Sequence, residues 1–182
     1  GEKLKNLGFT REIIPQHVAV KESVFPFAKF PGVDTLLGPE MRSTGEVMGV
    51  GENFGAAFAR AQEAAGIKAP PVGKAFISVR DPDKRRVLEV AEELIRRGYG
   101  LVATSGTAAW LRENGILCEQ VNKVIEGRPH IVDRIKNGEI AYIVNTTEGK
   151  QAIADSFSIR REALQQRVTY STTISGAKAL LH

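Results

Sequence analysis

Cysteine occurs once in this chain and histidine three times. A lone Cys118 excludes an intrachain disulfide framework and a zinc site built on cysteine. Its flanks, Ile116-Leu117 and Gln120-Val121, place it on a strand, where a buried core thiol is expected. Of the histidines, His17 lies in the N-terminal section and His182 ends the chain. His130 stands at a predicted helix start, with Asp133 three residues on as a first-turn acid. The sequence has no nucleophile elbow, no zinc motif and no phosphate loop of the nucleotide-hydrolase type. Without a poised base or nucleophile the pattern favours binding over catalysis, and no catalytic or metal-ligating residue is expected. There is no signal peptide and no apolar run of membrane-spanning length, so a cytoplasmic protein without a membrane partner is expected. Aromatic residues make up 7% of the chain and are not interleaved with Lys/Arg runs, so nucleic acid is not expected either.

What is present is an ordinary globular composition, 42% hydrophobic and 25% charged, with a net charge of +4 that suits small anionic ligands. A length of 182 residues fits one domain, or one domain and an appendage. The opening GEKLKNLGF, without an initiator methionine, reads as part of something larger. Residues 1–66 are short of core. His17–Phe25 alternates as a half-exposed strand, then breaks at Phe25-Pro26-Phe27 and Phe30-Pro31-Gly32. A polar, turn-rich stretch follows, ending in a short apolar piece at Val47-Met48. Asn53–Ala65 predicts an amphipathic helix with Phe54, Ala57, Phe58 and Ala61 on one face. The section reads as the closing edge of a neighbouring domain. Residues 67–73 (IKAPPVG) are a linker.

From residue 74 to 182 strands alternate with helices. Strands are expected at Lys74–Val79, Leu101–Thr104, Ile116–Val121, Ile140–Asn145 and Val168–Thr172. Helices are expected at Pro82–Arg97, Ala108–Glu113, His130–Lys136, Lys150–Gln165 and from Gly176. The first should bury Val87, Val90, Ala91 and Leu94, and the fourth Ile153, Phe157 and Leu164. The fold class is therefore α/β: a doubly wound, five-stranded parallel sheet flanked by helices, preceded by an α+β fragment.

In such a sheet all strand carboxyl ends share one edge, where ligands bind. Tyr99–Leu111 (YGLVATSGTAAWL) shows the chemistry of that edge: a buried strand, a turn through Ser105-Gly106-Thr107, and a helix opening at Ala108. Backbone N–H groups and the positive end of the helix dipole point at whatever sits there. The same turn is also ordinary capping chemistry. The first strand end adds Ser78, Arg80, Asp83 and Lys84, the second Thr104, the third Asn122 and Lys123, and the fourth Asn145, Thr146 and Thr147. Lysines, hydroxyls, amides and helix N-termini together are phosphate-binding chemistry. The Thr104–Thr107 and Asn145–Thr147 turns are placed to grip one phosphate from two sides.

FPGVDTLLGPEMRSTGEVMGVG (30–51), VNKVIEGRPHIVDRIKNGEIAYIVNTT (121–147) and the ATSGT turn carry a specific resemblance. The chain is similar, over essentially its whole length, to the C-terminal end of the carbamoyl phosphate synthetase large-subunit family. The resemblance implies that residues 1–66 are the tail of the ATP-grasp half that forms carbamoyl phosphate. The carboxylates that bind ATP and Mg or Mn would lie upstream of Gly1, leaving this chain without a cofactor and inactive alone. Residues 74–182 would be the allosteric domain, similar in fold to methylglyoxal synthase, that controls carbamoyl phosphate synthesis for pyrimidines and arginine. It implies nucleotide monophosphate effectors such as UMP (inhibiting) and IMP (activating), held by Lys84, Thr104, Thr107, Lys123, Asn145 and Thr147, with Asp155 on the ribose or base. The family's ornithine site, a Tyr-Asp-Thr-Thr stretch between the domains, is represented by Tyr170-Ser171-Thr172-Thr173. Serine replaces the acid, and Tyr170 and Thr172 remain. Lys150 follows the NTTEG turn where many relatives carry arginine. Implied partners are the rest of the large subunit, a glutaminase small subunit and a second copy through self-association. A free-standing lyase on dihydroxyacetone phosphate is the other reading. It would need a histidine-aspartate pair where Val79-Arg80-Asp81 stands, and a glycine-rich aspartate loop that this chain lacks.

Overall fold

The computed structural model describes residues 1–30, 33 and 37–182, leaving aside the side chains of Ala28, Lys150, Gln151 and Asp155. The N-terminal section is a hairpin covered by one helix. Strand β1 (Val18–Val24) alternates between half-buried and exposed positions, as its period-two pattern predicts. It pairs antiparallel with β2 (Gly45–Gly51), from Val18 opposite Gly51 to Val24 opposite Gly45. Helix α1 (Phe54–Ala64) opens where the Asn53 side chain accepts the Ala56 N–H at 2.9 Å. It buries Ala57 and Ala61 against β2 and Gly55 against the His182 ring. Of the expected face, Phe58 is half-buried and Phe54 exposed, the two rings stacking with centroids 5.7 Å apart. Gly49 and Gly51 allow strand and helix backbones to touch. A Cβ on Gly49 would stand 2.1 Å from the Ala57 carbonyl oxygen.

Hydrogen bonds tie residues 67–73 to the second unit, among them that from the Gly100 N–H to the Gly73 carbonyl at 2.9 Å. The Tyr99 hydroxyl donates to the Pro70 carbonyl at 2.6 Å, and Thr169 Oγ1 donates to the Lys68 carbonyl at 3.0 Å.

That unit runs β3 (Lys74–Ser78), α2 (Lys84–Arg96), β4 (Gly100–Ala103), α3 (Ser105–Glu113), β5 (Glu119–Gln120), α4 (Ile131–Lys136), β6 (Ile140–Asn145), α5 (Lys150–Asp155), α6 (Phe157–Gln165), β7 (Thr169–Ser171) and α7 (Ile174–Leu180). The strands form one parallel sheet in the order β5-β4-β3-β6-β7. Alternate residues along each strand feed opposite faces. Ala75, Ile77, Leu101, Ala103, Tyr142 and Val144 pack with α2, α3 and α7. Phe76, Val102 and Ile143 pack with α4 and α6. The sheet is thus covered on both sides, as expected of a doubly wound fold.

Several boundaries differ from the sequence reading. The third strand was expected over six residues, and the ladder holds only Glu119 and Gln120. This strand lies at the sheet edge, and Leu117 points to solvent with 87% of its surface exposed. Cys118 lies outside the ladder and is half-buried rather than sealed in the core, although it packs against it. The expected helix over Lys150–Gln165 is broken at Ser156 into α5 and α6. The buried face runs through Ser156, Ile159, Arg160 and Ala163, at i, i+3, i+4 and i+7, with Glu162 also buried, and Ile153, Phe157 and Leu164 lie beside it, half-buried. The four positions expected to face inward on α2, Val87, Val90, Ala91 and Leu94, are all buried.

Candidate functional site

The connection after β3 leaves toward the α2 face, and the connection after β6 leaves toward the α6 face. The carboxyl ends of β3 and β6, adjacent in the sheet, therefore open a crevice where the winding reverses. A cavity of about 180 Å³ occupies that place. Its polar wall is Ser78, Thr104, Lys123, Asn145, Thr146 and Thr147, six residues singled out from the sequence. Arg80 and Glu148 stand in the same wall, and Val124, Ile125 and Ile159 form an apolar side.

Ser78, Thr104, Asn145 and Thr146 are held by their neighbours. Thr104 Oγ1 lies 3.2 Å from Ser78 Oγ, joining the ends of β4 and β3. The Thr146 hydroxyl accepts the Arg80 N–H at 3.2 Å, and the Thr146 N–H continues the ladder to the Ser78 carbonyl at 3.0 Å. Asn145 is buried, and its amide donates to the Tyr170 hydroxyl at 2.6 Å. Lys123 is exposed at the cavity wall, with no ion-pair partner among the described residues.

Lys84, Ser105, Gly106 and Thr107 do not line this cavity; they stand at the start of α3, next to Thr104 of its wall. Ser105, Gly106 and Thr107 form the first turn of α3 itself rather than a loop before it. Thr104 is the N-cap but makes no side-chain cap, so the first-turn amides keep their donors outward. The Lys84 ammonium is beside them: a Cβ on Gly106 would lie 3.9 Å from Nζ. Lys84 also pairs with Asp81 at 2.9 Å, and this cation holds the Asp81 carboxyl below its ordinary range. An ammonium next to the positive end of a helix dipole is a repulsive arrangement that an anion between them would relieve. Thr107 is buried, and its Oγ1 accepts the Val79 N–H at 3.2 Å, fixing α3 to the β3 end while its own proton remains to donate. The Asp155 side chain, expected on the ribose or base, and that of Lys150 lie outside the described residues.

Asp83 organises the loop after β3. Burial alone would raise its carboxyl, but hydrogen bonds from Arg80 and Thr146 and the charges of Arg80 and Arg86 outweigh burial and hold it below the ordinary carboxylate range. Its Oδ2 lies 2.6 Å from Arg80 Nε. The hydrogen bond to Asp83, with its charge, raises the Arg80 guanidinium, and Glu148 adds to this. His130 is spent on structure: its Nδ1 accepts the Asp133 N–H at 3.4 Å, and Asp133 Oδ2 accepts the His130 N–H at 3.0 Å, capping α4. Among the described residues no three His, Cys, Asp or Glu side chains converge as metal ligands, and no helix is long and apolar enough to cross a membrane.

Tyr170 and Thr172 border a second, separate cavity of about 150 Å³ between α1 and the β7–α7 corner, with Phe58, Gln62 and Leu180. The sequence reading missed Glu148 and the apolar side of the main cavity. Glu148 directly follows the Asn-Thr-Thr strand end, so its position was readable even though its role was not.

Residues 86–172, which hold four of the five strands of the parallel sheet, match the family described as MGS-like domain. The resemblance to carbamoyl phosphate synthase large chains extends across the whole chain. It is 74% identical over 182 residues to that of Xanthomonas campestris pv. campestris and 69% identical over 182 residues to that of Xylella fastidiosa. Against that of Pseudomonas putida it is 60% identical over 180 residues. The chain spans 17% of the length of each of these relatives. In a solved structure, that of ForH, 61% of this chain superposes on 78% of the other with a TM-score of 0.45 at 18% identity.

Proposed function

We propose that this chain is the effector-binding region of a longer enzyme of the carbamoyl phosphate synthase type, and that the β3/β6 crevice takes a nucleoside monophosphate. The observation that carries the proposal is the convergence of Lys123, Thr104, Thr147 and Asn145 on one cavity, next to the uncapped start of α3 and Lys84. Lysine supplies point charge to a phosphate, while hydroxyls and amides supply directed donors. The apolar side at Val124, Ile125 and Ile159 suits a base or ribose edge. In the longer enzyme, catalysis with ATP and Mg or Mn and ammonia supply by a glutaminase partner would belong to other parts. This chain would bind effector and shift the balance between active and inactive states, to the extent that affinity differs between them. The cavity bordered by Tyr170, Thr172 and α1 would be the place of an ornithine-type ligand, with Ser171 where the family pattern has an acid.

Calorimetric titration of the chain with UMP and IMP, with AMP as control, tests the reading. Saturable binding of UMP or IMP is expected, weakened about tenfold or more by Lys123→Ala, the range for loss of one charge-assisted contact. Lys84→Ala should act in the same direction. Unchanged binding in both variants would remove the site from this crevice. The lyase alternative has no observation in its favour: at the positions where it needs histidine and aspartate, Arg80 and Asp81 are engaged with Asp83 and Lys84.

A further inference from the structure

We propose that Glu148 sets the charge selectivity of the crevice, by holding Arg80 across its mouth until an anionic ligand takes Arg80 over. The inference rests on the crevice being an anion site. Arg80 follows β3 and Glu148 follows β6, so the pair spans the two connections that diverge at the winding reversal. Arg80 Nη1 lies 3.1 Å from Glu148 Oε2, and both residues are in the cavity wall. The guanidinium is aimed from behind, with Nε on the buried Asp83 at 2.6 Å and the backbone N–H on Thr146 at 3.2 Å. Arg80 is therefore a fixed fork with one arm turned to the mouth. An Arg fork matches carboxylate and phosphate equally well, so the arm that holds Glu148 can hold a ligand phosphate.

The two partners differ in how firmly they are placed. Asp83 is 5% exposed, whereas the Glu148 side chain is 64% exposed. Solvent screening makes an exposed pair weak, so Glu148 is the partner that yields. The displaced carboxylate remains near the bound anion and repels it. Glu148 thus lowers affinity in proportion to ligand charge, disfavouring a dianion more than a neutral molecule of the same shape. Lys84 and Lys123 act in the opposite sense, and the net preference is the balance between them.

The test compares the full chain and Glu148→Gln by calorimetry with UMP, inorganic phosphate and uridine at two salt concentrations. Glutamine keeps the length and hydrogen-bonding capacity of the side chain while removing the charge. UMP and phosphate should bind about two- to fivefold more tightly to Glu148→Gln at low salt, with the gain shrinking at high salt and uridine unaffected. Equal gains for uridine and UMP would overturn the proposal, since shape rather than charge would then be responsible. Unchanged UMP affinity in Glu148→Gln, with affinity lost in Lys123→Ala, would overturn the role of Glu148 and leave the anion site standing. No binding of UMP or phosphate to any folded variant would overturn both.

Discussion

At the scale of single residues, Asp83 shows how the site is kept in shape by a group that does not line the cavity. Its folded-state value lies below that of an exposed aspartate, because Arg80, Thr146 and Arg86 outweigh the cost of burial. A depressed carboxylate contributes stability that is fully present above its unfolded value, about pH 4, and is lost as pH falls through the folded value. Asp83→Asn removes that contribution. At pH 7 the variant should melt about 2–4 °C below the wild type, the shift expected for losing a net hydrogen-bond contribution in a chain of this size. The gap should narrow as pH falls below the unfolded value and through the lowered folded one, as the native carboxyl is itself protonated. Thermal melts of the two proteins at pH 7, 5 and 3 provide the check. A constant gap across that range would mean that Asp83 acts through shape and not charge.

At the scale of elements, β2 and α1 are joined by glycine. A methyl on Gly49 would meet the Ala57 carbonyl oxygen at 2.1 Å and the Ala61 nitrogen at 2.4 Å, both rigid helix backbone. Gly49→Ala must push α1 off the hairpin, at a cost of about 1–3 kcal/mol or more. Circular dichroism melts should show the lowered midpoint, whereas Gly45→Ala, with nothing within 4 Å, should leave it almost unmoved. Gly45, however, sits at the exposed end of β2, so the contrast measures close approach rather than loss of glycine freedom. The sequence shows α1 through its alanine spacing, but not the reason for Gly49, since close approach is a property of two elements at once. The same distinction governs the sheet. β3, β4 and β6 are continuous apolar runs buried on both faces, and for that reason legible. β5 is an edge strand whose length depends on how far β4 runs beside it, and Ile116-Leu117-Cys118 gives no sign of where pairing stops. Ser156 is tolerated inside a helix by propensity, so the break there could not be read from residue type. The strand-end residues of the candidate site were legible because a parallel sheet brings all its carboxyl ends to one edge whatever the loop details. The Arg80–Glu148 pair was not, because it depends on side-chain reach across the crevice.

At the scale of the whole molecule, a hydrogen bond between their walls links the two cavities. The Tyr170 hydroxyl accepts a hydrogen bond from Asn145 in the wall of the β3/β6 cavity, and Tyr170 also borders the cavity against α1. Helix α1 in turn packs on β2, and a Cβ on its Gly55 would stand 2.4 Å from the His182 ring that follows α7. A ligand that fixes Asn145 therefore fixes Tyr170, and through it the corner of β7 and α7 on which α1 rests. Binding stabilises the state that binds, by about 2.7 kcal/mol at a hundred times the dissociation constant. That stabilisation is distributed along the groups the ligand orders. UMP at saturation should slow amide exchange in β6, β7, α7 and α1. Tyr170→Phe keeps the ring and removes the hydroxyl, so protection of β6 should persist while the added protection of α7 and α1 falls. Hydrogen exchange followed by mass spectrometry, with and without UMP, resolves these segments. Equal protection of α1 in both proteins would show that the two units are coupled through backbone packing alone, without Tyr170.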